Sequence, residues 1–213
     1  MKVTDLSHLI HSSMPVFPGT EQPTFQRANT LEKDGFLEAK ITMYSHTGTH
    51  IDAPAHMHQN GSYLDEFAID KFIGTAIILD FSRSNTQVLD IESIISHEET
   101  IRNIDFLILK TGWSKYWGNP KYYKGFPYLT EESAKWLSQF ALKGIGIDAI
   151  SIDDIESSSF PVHKILLEKN IVIIENLTNL DSIDPRASFL LSVMPIKNKQ
   201  ADGSPVRAIS IEL

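Results

Sequence analysis

Apolar residues along the chain gather into short runs rather than long stripes. TAIILDF (75–81), IDFLILKTG (104–112), GIGIDAI (144–150) and IVIIENL (171–177) are each bounded by turn-forming residues. Short apolar runs of this kind predict buried strands. FLEAKITMYSHTGTHID (36–52) is rich in β-branched and aromatic residues and predicts extended chain. Over 131–143 the spacing of Trp136, Leu137 and Phe140 predicts one apolar helix face, with Thr130 suited to cap its start and Gly144 its end. A shorter helix is expected after Asp90, and another opens at Pro161, a residue that fits the first helical position. Residues 11–23, HSSMPVFPGTEQP, contain three prolines and a glycine and predict an irregular surface segment. No repeat, low-complexity tract or linker interrupts the pattern. The expectation is a single domain over 1–213, mixed α/β with a β-rich core.

Composition narrows the function. The 213 residues are 42% hydrophobic and 22% charged, ordinary for a globular domain that can bury its own core. The net charge of −8, without a block of Lys and Arg, argues against nucleic acid or an anionic membrane as partner. The longest apolar run, FIGTAIILDF (72–81), is too short to span a bilayer. MKVTDLSHLI at the N-terminus lacks the apolar stretch of a signal peptide, so a cytoplasmic location is expected. With no cysteine, any metal must be held by His, Asp and Glu, which favours zinc or manganese.

The stretch SHTGTHIDAPAH (45–56) carries His46, His50, Asp52 and His56. The four-residue step from His46 to His50 is not helical, because Thr47, Gly48 and Thr49 lie between them and Pro54 follows. In extended chain all four point to one face. A straight strand from 46 to 56 would be about 33 Å long, too far for the four to meet one ion. The chain must therefore bend, with Gly48 and Pro54 as the natural places, and His50 and Asp52 are best placed to share a metal. His58 reads as a structural or supporting residue. Further along, His163 falls in the first turn of the helix opened by Pro161, where the helix dipole favours a neutral, ligating imidazole. Glu175 closes a buried apolar strand, which requires either a cation or a salt-bridge partner.

Together HTGTHIDAPAH, IDAISID (147–153), PVHKILL, IVIIENLTNLDSI and DGSPVRAI (202–209) resemble the cyclase family of metal-dependent hydrolases, which includes the bacterial kynurenine formamidases and the isatin hydrolases. The similarity runs from DLSHLI to the last strand. It implies a ββα sandwich of the swivelling-domain type. It also implies two divalent ions, one held by His46, His50, Asp52 and Glu175, the other by Asp52, His163 and Glu175, with zinc or manganese as the metal. His56 would then be the general acid and base. The implied reaction is attack of metal-activated water on the C–N bond of a small amide, an arylformamide or a cyclic amide, with N-formylkynurenine of tryptophan catabolism as one substrate. The absence of cysteine and of a GxSxG serine agrees with direct attack by water.

The resemblance also implies that MPVFPGT (14–20) covers the substrate, with Phe17 where the formamidases typically carry Trp, and that the chain forms homodimers or larger assemblies. By residue type alone Phe17 could instead anchor the loop in the core. The aromatics of 111–130 fit either a pocket wall or a subunit contact. Asp148, Asp153, Asp154 and Arg207 read as structural residues. Two other classes fit part of the pattern. A mononuclear iron or manganese oxygenase would use two histidines and one carboxylate and leave the remaining residues idle. A non-catalytic metal- or ligand-binding protein would have no use for His56.

Overall fold

The computed structural model describes residues 1–84 and 86–212. Its strands are β1 (Lys2–Asp5), β2 (Thr24–Asn29), β3 (Glu38–Thr42), β4 (His50–Asp52), β5 (Ile73–Asp80), β6 (Val88–Leu89), β7 (Phe106–Lys110), β8 (Tyr128–Leu129), β9 (Gly144–Ile147), β10 (Val172–Glu175), β11 (Phe189–Ser192), β12 (Gly203–Pro205) and β13 (Ile209–Glu212). Four short α-helices accompany them among the described residues: α1 (Leu31–Asp34), α2 (Glu98–Ile101), α3 (Glu131–Leu137) and α4 (Pro161–Glu168). This is the expected β-rich mixed architecture. None of these helices is long and apolar enough to cross a membrane.

Nine strands form one sheet in the order β1-β13-β11-β5-β7-β9-β10-β4-β12. The central four, β5, β7, β9 and β10, run parallel, and the remaining pairings of this sheet are antiparallel. They are the four apolar runs of the sequence, and alternation explains why those runs lack polar positions. Ile77, Leu79, Leu107, Leu109, Ile145, Ile147 and Ile173 face one core with Leu137 of α3 and Leu166 of α4. Ala76, Ile78, Phe106, Ile108, Val172 and Ile174 face a second core, where the curled sheet brings in Ile51, Phe189 and Leu191 from its outer strands. Both faces are dry, so both side-chain sets are apolar. Gly146 leaves room for this second core, since a Cβ there would lie 2.7 Å from Ile108 Cδ1 and Leu177 Cδ1.

Two local expectations are corrected. The helix predicted over 131–143 keeps its Thr130 cap, whose hydroxyl accepts from Ser133 N at 3.1 Å, but ends at Leu137. Ser138 turns its hydroxyl back onto the Lys135 carbonyl, and Gly144 opens β9 instead of closing the helix. The stretch 36–52 is not one extended segment: β3 ends at Thr42, residues 43–49 bend, and the chain becomes a strand again only at His50. The short helix after Asp90 is a 3-10 turn, Ile95–His97, running into α2.

β2, α1 and β3 form an arm outside the main sheet. Neither strand nor α1 buries a side chain, although Phe25, Leu31, Leu37 and Ile41 are apolar. The aromatics of 111–130 are packed against the core. Tyr122 is fully buried, Trp113 donates its indole N–H to the Tyr122 carbonyl at 3.1 Å, and Trp117 stacks on His8 with ring centroids 3.8 Å apart.

Candidate active site

The end of β10, the strand β4 beside it and the start of α4 bring four predicted residues together: Glu175, His50, Asp52 and His163. In the ladder Glu175 pairs with His50, and Asp52 pairs with Ile173 on one side and Gly203 on the other. The two bends expected around β4 are present. Gly48 takes the left-handed conformation at φ 67°, and Pro54 opens the 3-10 turn Pro54–His56. These bends carry His46 and His56 out of the strand, so the ring of His46 lies back over Asp52 and that of His56 lies against His46.

Distances divide the cluster into two sets that share carboxylates. Asp52 Oδ1 lies 2.6 Å from His46 Nδ1 and 3.3 Å from His50 Nε2, while Oδ2 lies 3.6 Å from His163 Nε2. Glu175 repeats the division, with Oε2 3.6 Å from His50 Nε2 and Oε1 3.3 Å from His163 Nε2. The donor groups His46–His50–Asp52 and Asp52–His163–Glu175 are each compact enough to surround one ion. Asp52, His50, His163 and Glu175 are all buried.

The other nitrogens of these rings are occupied. His50 Nδ1 donates to the Gly48 carbonyl at 2.8 Å, which also receives the Asn176 amide at 3.0 Å. Tyr122 in turn donates to Asn176 Oδ1 at 2.7 Å, so the buried aromatic supports the cluster from behind. His163 Nδ1 meets Asp153 Oδ2 at 2.6 Å, and the same carboxylate accepts the first N–H groups of α4, from Val162 and His163. This leaves Nε2 of both rings facing the carboxylates of Asp52 and Glu175. Asp52 Oδ2 is fully buried and has no hydrogen-bond partner among the described residues. Buried acceptors that converge without donors fit a cation, and the nitrogen and oxygen donor set suits a divalent metal.

The electrostatics agree. Burial opposes ionisation of His46, but Asp52 and Asp202 outweigh it and raise its pKa from 6.5 to about 10. Burial likewise opposes charge on His163, yet Asp153, Asp52 and Glu175 hold its pKa well above the usual value. Three carboxylates around His163 act against the dipole of α4, whose N-terminus Asp153 caps. The cluster attracts positive charge, and a bound metal would replace those imidazole protons. His56 differs. Burial lowers its pKa, Asp52 pulls it back, and His46 and His163 push it down again.

These groups open into a cavity of about 410 Å³. Phe17 lines it, 6.3 Å from the ring of Phe160 across the apolar side, with Pro15, Met57 and Ile150. Phe160 has φ 48° and ψ 56°, a strained conformation for a bulky residue, and meets the His163 ring edge-on at 5.9 Å. Its part in the wall was not legible, because a residue before proline is expected to be extended. Asp202, 3.2 Å from His46 Nε2, was also missed, since it reaches the site only through the pairing of β12 with β4. The 111–130 aromatics are absent from the cavity lining, which removes the pocket-wall reading of that segment. His58 bonds the Lys164 carbonyl at 2.9 Å, and Asp148 accepts from Thr111 and Gly112. Arg207 pairs with Asp5 at 2.7 Å on the surface.

Residues 4–154 match the family model described as "Putative cyclase". The chain belongs to the cyclase family. It is 32% identical to a kynurenine formamidase of Geobacillus thermodenitrificans over 206 residues, 96% of this chain and 94% of that protein. Among solved structures it superposes with a TM-score of 0.82 on a predicted metal-dependent hydrolase from Bacillus stearothermophilus, 28% identical, over 98% of this chain and 97% of that one. Isatin hydrolase A from Ralstonia solanacearum shares the fold at a TM-score of 0.84 and 23% identity, covering 98% and 91% of the two chains.

Proposed function

We propose that this cyclase-family protein is a metal-dependent amide hydrolase that cleaves the formamide C–N bond of N-formylkynurenine, using two divalent ions of zinc or manganese. The observation that carries the reading is the double-faced arrangement of Asp52 and Glu175. Each presents one oxygen toward His50 and the other toward His163, so that both carboxylates would be available to each of two ions. When bound, such a pair supplies Lewis acidity and lowers the pKa of water. His46, His50 and His163 complete the donor sets. His56, at the cavity and outside the two carboxylate-centred sets, is the proton carrier to the leaving nitrogen. Phe17 and Phe160 supply an apolar wall for a flat aromatic ring and limit water around it. An oxygenase would need one ion on two histidines and a carboxylate, and Glu175 and His163 would then lack a purpose.

The test is hydrolysis of N-formyl-L-kynurenine by protein loaded separately with zinc and with manganese. We expect a kcat/KM of about 10⁴ M⁻¹s⁻¹ or higher. Fully metallated protein that leaves this compound intact would remove it as the substrate and turn attention to cyclic amides.

The arm supports a homodimer. A two-stranded ribbon is marginal alone, and this one exposes Phe25 at 44% and Ile41 at 50%, with Leu37 beside it at 62%. It leads directly into Tyr44 at the cavity rim, so a second copy packed on the arm would also border the active site. Sedimentation equilibrium should give a dimer at micromolar concentration, and Leu37→Asp with Ile41→Asp should release monomers. A monomeric wild-type protein would contradict the assignment.

A further inference from the structure

Asp202 has no part in the reaction described above, yet its carboxylate reaches two of the histidines. Oδ2 lies 3.2 Å from Nε2 of His46 and 4.0 Å from Nδ1 of His56. Those two rings pack on one another with centroids 3.9 Å apart. The backbone here is held in place, because the Asp202 carbonyl accepts from Ala53 N at 2.9 Å and Gly203 pairs with Asp52. Gly203 sits directly against the His46 imidazole: a Cβ at that position would lie 2.4 Å from Cε1. The strand start and the ring form one packed unit, with no room for a side chain between them.

A neutral imidazole has one N–H and one lone pair, so fixing the N–H decides which nitrogen can bind a metal. His50 and His163 spend Nδ1 on the Gly48 carbonyl and on Asp153, and each turns Nε2 toward the carboxylates. In His46 the pattern is reversed. Its Nε2 meets Asp202, and its Nδ1 points at Asp52. A carboxylate behind a histidine fixes the tautomer and ring orientation and makes the other nitrogen a better ligand. We infer that Asp202 is a positioning residue that holds His46 through Nε2–H so that Nδ1 faces the metal, and that the same carboxylate orients the adjacent His56. This rests on the metal-hydrolase reading above. The gap to His56 exceeds a direct hydrogen bond and is of the size that a rotation of the partly exposed carboxylate, or one water, closes.

Two variants and three readouts test it. Asp202→Asn is nearly isosteric and keeps an acceptor without the charge, while Asp202→Ala removes both. Long-range ¹⁵N–¹H spectra of the zinc-loaded wild type should show His46 as the Nε2–H tautomer and His50 and His163 as Nδ1–H tautomers. Competition with a chromogenic chelator should show zinc affinity about 10–100-fold weaker in Asp202→Ala, and less weakened in Asp202→Asn. At saturating zinc, kcat for N-formyl-L-kynurenine should fall in both variants with KM little changed. A His46 proton on Nδ1, or an alanine variant with wild-type affinity and kcat, would overturn the inference. Weakened zinc binding with full kcat would keep the His46 role and remove the His56 one. Failure of the underlying reading appears elsewhere, in wild-type protein that takes up no zinc, and it would take this inference with it. An inactive but zinc-binding wild type still leaves the spectra and affinities to decide.

Discussion

His56→Ala is expected to lower kcat about 10²–10⁴-fold while leaving metal content unchanged. The reasoning is positional. His46, His50, His163, Asp52 and Glu175 already provide two donor groups that share Asp52, and His56 belongs to neither of these. Its ring lies at the cavity, 3.9 Å from His46 and 6.1 Å from His163. Only proton transfer should suffer, so added imidazole should restore part of the rate. His56 also stands near His46 and Asp202 in a third donor group. Loss of metal in step with activity would therefore make His56 a ligand and refute the proton-carrier role. Unchanged turnover would refute both roles. Retained metal with abolished turnover would exclude a protein that merely binds.

Much of the scaffold was legible because β5, β7, β9 and β10 are buried on both faces and so appear as unbroken apolar runs. The bends at Gly48 and Pro54 could be read because too many ligand-type residues lay on too long a segment. What escaped depends on contacts between distant residues. The register that sets Gly203 beside Asp52 joins positions 151 residues apart, and nothing local to DGSPVRAI announces that Asp202 will meet His46. The same holds for Asp153, read only as structural, which caps α4 and grips His163 at once. α3 was predicted too long for a different reason. The apolar period continues to Phe140, but Ser138 and the turn into β9 satisfy the chain before the helix can use it. The arm was misread because 36–52 has the composition of a strand at each end, and composition does not reveal the bend between.

Asp52→Asn should remove both activity and metal binding, the largest loss expected of any single substitution here. Asp52 is the residue common to both donor groups: Oδ1 faces His46 and His50, and Oδ2, buried and unpartnered, faces His163. An amide keeps the shape but loses the charge, and its NH₂ end would direct hydrogens toward a cation. Turnover should drop at least about 10⁴-fold, beyond the effect at His56, because positioning and activation of water are lost together. The metal effect has a separate readout in stability. A ligand that binds only the folded chain stabilises it by RT ln(1 + [L]/Kd), about 2.7 kcal/mol at a hundredfold excess over Kd. Wild-type protein should thus melt higher with added zinc, and Asp52→Asn should not respond. Glu175→Gln should behave alike, since Glu175 spans the same two groups. Because the two carboxylates act as one unit, the double variant should be scarcely worse than either single one. Full additivity of the two losses would mean that each carboxylate serves its own ion, and the bridged pair would have to be abandoned.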